Sequence, residues 1–202
     1  MTKEPVWQPS ASQAALESRA QQLAFVRGFF AQRGVLEVET PILGQRGVTD
    51  PNLDGIQAHV AAGTRTGGWL QTSPEYHMKR LLAAGSGAIH QIAPAWRDGE
   101  RGRFHEPEFT MLEWYLPGAD DDVLMDETEE LVRTLTESFA QGVLRHGNHA
   151  SAAGVAAPPF RRLTFREAFD EYAGLDPVAD PEGRLGMALR AAGVKAPRPA
   201  NR

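Results

Sequence analysis

This 202-residue chain lacks cysteine, long apolar runs and an excess of positive charge. Without cysteine, disulfides and thiolate catalysis are excluded. No apolar run approaches the roughly 20 residues that span a bilayer, and residues 1–10 lack a signal-peptide core, so the cytoplasm is the expected location. The formal net charge of -5 argues against a broad nucleic-acid surface, because counterion release then contributes little. A small-molecule or protein substrate is favoured.

The composition is that of an ordinary globular protein, with 42% hydrophobic and 23% charged residues. A chain of this length can form one domain that buries roughly 70% of the surface its unfolded form exposes. Apolar residues at helical spacing predict a long first helix over 12–32, which Gly34 stops. A short strand over 35–38 follows, and Pro41 closes it because proline cannot donate to a strand ladder.

The second half of the chain predicts two more helices. Residues 120–139 form an acidic amphipathic pattern, and a capping box at 164–167 begins a helix through Tyr172. Residues 141–159 are rich in alanine and glycine and predict a surface loop, and the chain from Pro177 onward is expected to be less structured. The side chains expected to face inward from the acidic helix are Leu124, Leu131, Val132, Leu135 and Phe139.

The segment 89–115 combines an arginine, a polar turn and an alternating acidic and aromatic stretch in one hairpin-sized unit. Residues 91–96 and 109–115 are predicted strands, and 98–103 is the turn between them. Alternation places Phe109, Met111, Glu113 and Tyr115 on one face and Thr110, Leu112 and Trp114 on the other. A carboxylate among apolar neighbours needs a cationic partner. Glu113 therefore either receives a ligand's ammonium or forms an ion pair with one of the chain's own arginines.

Ser73, Pro74 and Glu75 predict the start of another helix. They provide a side-chain cap, a proline where the missing amide costs nothing, and a carboxylate at the positive end of the helix dipole. These local roles explain all three residues without a function.

Four segments carry a resemblance to a known family. WRDGERGRFHEPEFTMLEWY resembles motif 2 of the lysyl subclass of class II aminoacyl-tRNA synthetases. WQPSAS, RGVLEVETP and TSPEYHMKRLLAAG are similar to the lysyl-type paralogues that attach (R)-beta-lysine to elongation factor P. The resemblance implies an α+β catalytic domain with an antiparallel sheet flanked by helices, covering 1–202 in part. It places motif 1 at about 21–41, where the family forms its homodimer, and motif 2 at about 89–115.

The resemblance also implies a function. ATP would activate lysine or (R)-beta-lysine as an acyl-adenylate, and the acyl group would pass to a lysine of elongation factor P. Two alternatives stay open: a lysine-tRNA ligase, and a non-catalytic remnant or dimerising binding module. Magnesium is expected from the family, but its ligands match no position in this chain, so no metal-binding residue is predicted.

The implied site residues fall into two groups. Arg97 matches the catalytic arginine on the α-phosphate, and Phe109 matches the residue that stacks on adenine. Asp98, Gly99, His105 and Glu106 match further ATP-contacting positions. The positions implied to contact the amino-acid substrate are Ser73, Pro74, Glu75, Glu113 and Tyr115.

The chain departs from the family pattern at three places. Glu106 stands where the family has asparagine, and the loop glutamate comes one residue late, at Glu100 after Gly99. No motif 3 and none of the family's late glutamates follow residue 150. The sequence is therefore expected to be the N-terminal portion of the catalytic domain.

Overall fold

The computed structural model describes residues 7, 9–59, 67–140, 159–178, 184–191 and 193, in two compact units. The first unit comprises 1–49 and 53–159, and the second comprises 50–52 and 160–202. The predicted loop at 141–159 lies outside the described residues except for its last residue.

Helix α1 spans Gln13–Gln32 in the first unit. It begins where the Ser12 hydroxyl accepts a hydrogen bond from the Ala15 amide, at 3.2 Å. Gly34, at φ +70°, takes the left-handed conformation that ends the helix and redirects the chain. Strand β1, Leu36–Glu37, follows directly. The predicted helix and strand are both confirmed.

The main sheet contains β1, β5 (Ile89–Trp96) and β6 (Glu108–Tyr115), in the order β1-β5-β6. Strands β5 and β6 form the predicted antiparallel hairpin. Strand β1, however, pairs with β5 in parallel, with Leu36 opposite Ile89. The sheet is therefore mixed instead of fully antiparallel. The long connection between β1 and β5 gives the chain room to cross over and return in the same direction.

A second, antiparallel sheet lies within that connection. It contains β2 (Leu43–Gly44), β4 (Gly68–Leu70) and β3 (Gln57–Ala58), in the order β2-β4-β3. Two glycines admit the indole of Trp69: a Cβ atom at Gly47 would lie 3.0 Å from it, and one at Gly55 would lie 3.3 Å away. Side chains at these two positions would displace Trp69 from the centre of this small sheet.

Helix α2 spans Glu75–Ala83 and begins one residue later than the predicted cap requires. Pro74 occupies the cap position and provides no side-chain hydrogen bond. The Ser73 hydroxyl instead accepts from the Glu75 amide, at 3.3 Å. The predicted side-chain cap by Ser73 is therefore present, and only the first residue of the helix differs from the prediction. Glu75 does lie in the first turn, as predicted.

Helix α3 spans Asp121–Ala140 and begins where the Asp120 carboxylate accepts from the Val123 amide, at 3.0 Å. Leu131 is buried, and Val132 and Leu135 are half-buried, but Leu124 is exposed, so its predicted inward position is wrong. The side chain of Phe139 lies outside the description. The core behind the hairpin consists of Phe29, Phe30, Val35 and Leu131, with Leu112 and Trp114 packed against it.

The second unit contains α4 (Phe165–Ala173) and α5 (Arg184–Ala191). The predicted capping box is confirmed: Thr164 accepts from the Glu167 amide, and the Glu167 carboxylate accepts from the Thr164 amide. The expectation of little structure after Pro177 is wrong for α5, whose leucines and alanines have high helix propensity. Among the residues described, no helix is long and apolar enough to cross a membrane.

Candidate active site

The hairpin separates the predicted site from the core by strand alternation. Phe109 lies opposite Ala95, Met111 opposite Ala93, and Glu113 opposite Gln91. Cross-strand partners project from the same face of a sheet, so these side chains share one surface. Leu112 and Trp114 project from the other face and pack on the core. The predicted division of β6 into two faces is therefore confirmed.

Arg97 lies at the end of β5 and extends over the site face. Its guanidinium carbon is 5.2 Å from the centroid of the Phe109 ring, a cation-π distance. The side chain is 25% exposed, and its buried Nε has no hydrogen-bond partner within the described ranges. The nearest carboxylate is that of Glu100, 3.9 Å from Nη1, too far for a hydrogen bond. Arg97 therefore keeps an unused donor in a site that is mostly removed from water.

The turn after Arg97 is held in place by hydrogen bonds that two backbone amides donate. The Asp98 amide donates to the Asp54 carbonyl at 2.8 Å, and the Gly99 amide donates to the Asp98 carboxylate at 2.8 Å. Gly99 has φ +74°, a left-handed conformation that glycine adopts without steric cost. Of the predicted ATP-contacting residues, His105 and Glu106 are both exposed.

Glu113 and Tyr115 form a hydrogen-bonded pair at the other end of β6. The Tyr115 hydroxyl donates to the Glu113 carboxylate at 2.5 Å. Burial raises the pKa of the Glu113 carboxyl, the Tyr115 hydrogen bond opposes this, and the nearby Glu75 charge raises the pKa further. Lys79 and Ser73 lower it. The pKa of the Tyr115 hydroxyl is raised by burial and by the Glu113 carboxylate.

The N-terminal part of α2 supplies the remaining predicted substrate residues. Pro74 is buried, and Ser73 and Glu75 are half-buried. Both residues act on the pKa of Glu113: Glu75 raises it and Ser73 lowers it. Among the described ion pairs, none joins Glu113 to an arginine. Within the part of the chain that the structure describes, the hydrogen-bond partner of Glu113 is Tyr115 and not an arginine.

Sequence analysis missed Lys79, whose ammonium forms an ion pair with Glu75. The signal was present, because residues four apart on a helix are neighbours and a glutamate followed by a lysine at that spacing is favourable. The described residues contain no group of three or more histidines or carboxylates placed to hold a metal ion.

Comparison with known proteins identifies the family to which the chain belongs. A family model for tRNA synthetases class II (D, K and N) matches residues 7–195. The chain belongs to this class II tRNA synthetase family. The predicted resemblance to this family is confirmed.

Three curated relatives of this synthetase-family chain are each named elongation factor P (R)-beta-lysine ligase. The Yersinia enterocolitica protein is 49% identical over 188 residues, which is 92% of this chain and 52% of the relative. The Mannheimia succiniciproducens protein is 41% identical over 189 residues, with the same two coverages. The Edwardsiella ictaluri protein is 50% identical over 150 residues, or 69% of this chain and 46% of the relative. The chain spans about half the length of the curated relatives it matches.

Proposed function

We propose that this chain carries the motif 1 and motif 2 part of a ligase that activates lysine or (R)-beta-lysine with ATP and transfers it to a lysine of elongation factor P. The relatives' name supports the substrate and the acceptor. The observation that carries the proposal is the site face itself. It presents an arginine with an unused buried donor at one end and a half-buried carboxylate with its tyrosine at the other.

The proposed reaction has two steps. The amino-acid carboxylate attacks the α-phosphorus of ATP, pyrophosphate leaves, and an acyl-adenylate forms. An amine of the acceptor lysine then attacks the acyl carbon, AMP leaves, and an amide bond forms. Because elongation factor P is a translation factor, the proposed place of action is the cytoplasm.

Arg97 is proposed to bind the α-phosphate during the first step. A guanidinium is planar, always charged and able to donate to two phosphate oxygens at once. Because Arg97 is largely removed from water, its attraction to developing charge is stronger than it would be at the surface. The loss of a single donor to developing charge typically lowers kcat by about 100- to 1,000-fold. Phe109, beneath the guanidinium, is proposed to stack on the adenine.

Asp98, Gly99, His105 and Glu106 are proposed to line the rest of the ATP site. The amide hydrogen bond from Asp98 to Asp54 holds the start of this loop. Gly99 carries no side chain, so its backbone can approach a bound nucleotide closely. Magnesium is expected to accompany ATP, but the acidic residues in the described ranges form no suitable cluster, so no residue is assigned to it.

Glu113 and Tyr115 are proposed to receive an ammonium group of the amino acid, with Ser73, Pro74 and Glu75 forming the adjacent wall. About four strand residues separate Phe109 from Glu113, or roughly 13 Å along β6. In the proposed arrangement the adenine and the ammonium bind at opposite ends of one surface, and the reacting carboxylate and phosphate lie between them. Tyr115 orients the carboxylate, because its hydroxyl donates to one of the two oxygens.

Motif 1 is proposed to form a homodimer. Strand β1 lies at the edge of its sheet, and Leu36 on it is 59% exposed. A cavity of about 460 Å³ opens beside this edge, lined by residues of 37–42 and 91–94. Exposed apolar residues on an edge strand favour association with another chain. Sedimentation velocity should give the mass of two chains, and Leu36→Lys should give one, whereas Val123→Lys on α3 should not change the mass.

The test of the proposed activity is ATP-pyrophosphate exchange with lysine and with (R)-beta-lysine. The wild-type chain should support exchange, and Arg97→Met should reduce the rate by about 100-fold or more. Arg101→Met removes the same charge from an exposed position in the same loop and serves as the matched control. Absence of exchange with both amino acids at saturating ATP, with a full-length relative active in parallel, would refute the proposal.

The acceptor is tested separately. Labelled lysine or (R)-beta-lysine is incubated with ATP and either elongation factor P or lysine tRNA. Label on elongation factor P supports the proposal. Label on tRNA alone would identify the chain as part of a lysine-tRNA ligase instead.

A further inference from the structure

One buried glutamine stands among the apolar side chains that β5 contributes to the site face. Ile89, Ala93 and Ala95 share this face with Gln91, and all four are at most 3% exposed. A buried carboxamide costs free energy unless its polar atoms are hydrogen-bonded, whereas an apolar side chain at the same position would not. Gln91 is therefore the residue on this face of β5 whose presence packing alone does not explain.

The Gln91 carboxamide is fixed by a threonine of the neighbouring chain segment. The Val38 amide donates to the His90 carbonyl at 2.9 Å, so the chain continues beside β5 after β1 ends. Two residues later, the Thr40 hydroxyl donates to Gln91 Oε1 at 2.9 Å. Thr40 is buried as well. This hydrogen bond defines the orientation of the carboxamide.

Gln91 also lies directly opposite Glu113. The two residues are cross-strand partners in the β5-β6 ladder. Such partners have Cβ atoms about 4.5 to 5.5 Å apart and project from the same face, so their side chains are neighbours. No hydrogen bond joins these two side chains among the described contacts, so Gln91 acts on the carboxylate through packing and polarity. Thr40, Gln91 and Glu113 thus form a row across the sheet.

We propose that Thr40 and Gln91 are positioning residues for the Glu113 carboxylate. Thr40 fixes the carboxamide, and the carboxamide supports the carboxylate from β5 while Tyr115 holds it from β6. The inference rests on the proposed function insofar as the ligand is taken to present an ammonium at Glu113. A layer of fixed polar groups behind a binding group keeps that group in its productive geometry, and without the layer the group is present but poorly placed.

A purely structural role for the pair makes a different prediction. Two buried polar groups can simply satisfy each other, and replacing both by apolar groups of similar shape is then nearly neutral for stability. Loss of one partner alone leaves the other unpaired and costs more. If the pair has only this role, a double substitution that restores stability also leaves ligand binding unchanged.

The experiment compares Thr40→Val, Gln91→Met and the double variant, with stability measured by urea unfolding and lysine affinity by calorimetric titration. Each single variant should be less stable than the wild type, and the double variant should regain part of the loss. Lysine affinity should nevertheless fall in both variants that lack the carboxamide. Loss of a residue that supports a metal ligand lowers affinity by about 10- to 100-fold, and a loss of about 10-fold is expected here.

Two variants and a second ligand serve as controls. Thr40→Val should also lower lysine affinity, and Thr40→Ser, which keeps the hydroxyl, should restore it. Thr134→Val removes a hydroxyl that donates to the Glu130 carbonyl within α3, so lysine affinity should not change. ATP affinity should be the same in every variant, because Arg97 and Phe109 lie at the other end of the site face.

The pKa of Glu113 provides a readout that needs no ligand. Burial already raises this pKa. A thioether in place of the carboxamide makes the surroundings of the carboxylate less polar, which disfavours its charged form and raises the pKa further. In Gln91→Met, an NMR titration of the Glu113 carboxyl carbon should therefore have its midpoint at a higher pH than in the wild type. Thr134→Val should leave that midpoint unchanged.

The outcomes separate this inference from the proposed function. If the wild type binds lysine and the folded double variant binds it equally well, the positioning role is refuted and the proposed function stands. If the wild type binds no lysine, the proposed function fails. In that case, the same Glu113 pKa in the wild type and Gln91→Met would refute the positioning role too, whereas a raised pKa in the variant would support it.

Discussion

Replacement of His90 by leucine should make the stability of the first unit less sensitive to acid. His90 is 1% exposed and stacks on Phe30, with ring centroids 4.6 Å apart and planes 19° from parallel. Neither ring nitrogen has a hydrogen-bond partner among the described residues. Burial lowers the pKa of this imidazole, and Arg27 lowers it further. Glu37 and the Val35 backbone raise this pKa, but the Val35 backbone is not in hydrogen-bonding geometry with either ring nitrogen.

The sign follows from proton uptake. A lowered pKa means that the unfolded chain binds a proton at His90 before the folded chain does, so stability is lost as pH falls below about 6.5. The slope cannot exceed about 1.4 kcal/mol per pH unit for one proton. With a pKa of 6.5 for His90 in the unfolded chain, the free energy of unfolding falls by at most about 1.4 kcal/mol between pH 7.5 and 5.5 because of this residue.

The assay is urea unfolding at both pH values, for the wild type, His90→Leu and His105→Gln. The difference between the two pH values should be smaller in His90→Leu by up to about 1.4 kcal/mol. Any packing cost of the leucine cancels in that difference, because it applies at both pH values. His105 is exposed, so His105→Gln should keep the wild-type difference. Equal pH dependence in the wild type and His90→Leu would refute a buried, neutral His90.

Three further predictions concern packing, capping and the site. Phe30→Ala should cost about 3 to 5 kcal/mol in urea unfolding, because Phe30 is fully buried in the core. Thr164→Ala removes the capping box of α4 and should cost about 1 kcal/mol, visible as faster amide exchange in the first turn of that helix and unchanged exchange in α1. Tyr115→Phe removes the hydrogen bond that lowers the pKa of Glu113, so the carboxylate should become protonated at a higher pH. As the pH falls, lysine binding should therefore begin to weaken at a higher pH than in the wild type. Calorimetric titrations at several pH values would contradict this last prediction if the pH at which lysine affinity falls to half were the same in the variant and the wild type.

Local sequence patterns predicted much of the first unit. Helix α1, the hairpin and the two faces of β6 follow from periodicity, which depends on neighbours a few residues apart. The parallel pairing of Leu36 with Ile89 could not be predicted in this way, because it joins segments that are far apart in the chain. The exposure of Leu124 has a similar cause, since helical spacing defines an apolar stripe but not how far the neighbouring elements cover it.

The candidate site was predicted to a similar extent. The family resemblance and the alternation of β6 together led to Arg97, Glu113 and Tyr115, which the fold places on one face. The influence of Ser73 and Glu75 on the pKa of Glu113 could not be predicted, because it depends on tertiary packing. Lys79 was missed for the same reason: its spacing from Glu75 was visible, but its effect on the pKa of Glu113 was not.

The two faces of the β5-β6 hairpin limit how its length can change during evolution. Each strand alternates between core residues such as Trp114 and site residues such as Glu113. If one residue were gained or lost inside a strand, every side chain beyond that point would turn to the opposite face, so that core residues would face the site and site residues the core. A β-bulge at the insertion could prevent this. The connection over 97–107 is free of this constraint, because it carries no strict alternation. Related sequences should therefore differ in length within this loop, while the two strands keep a constant number of residues.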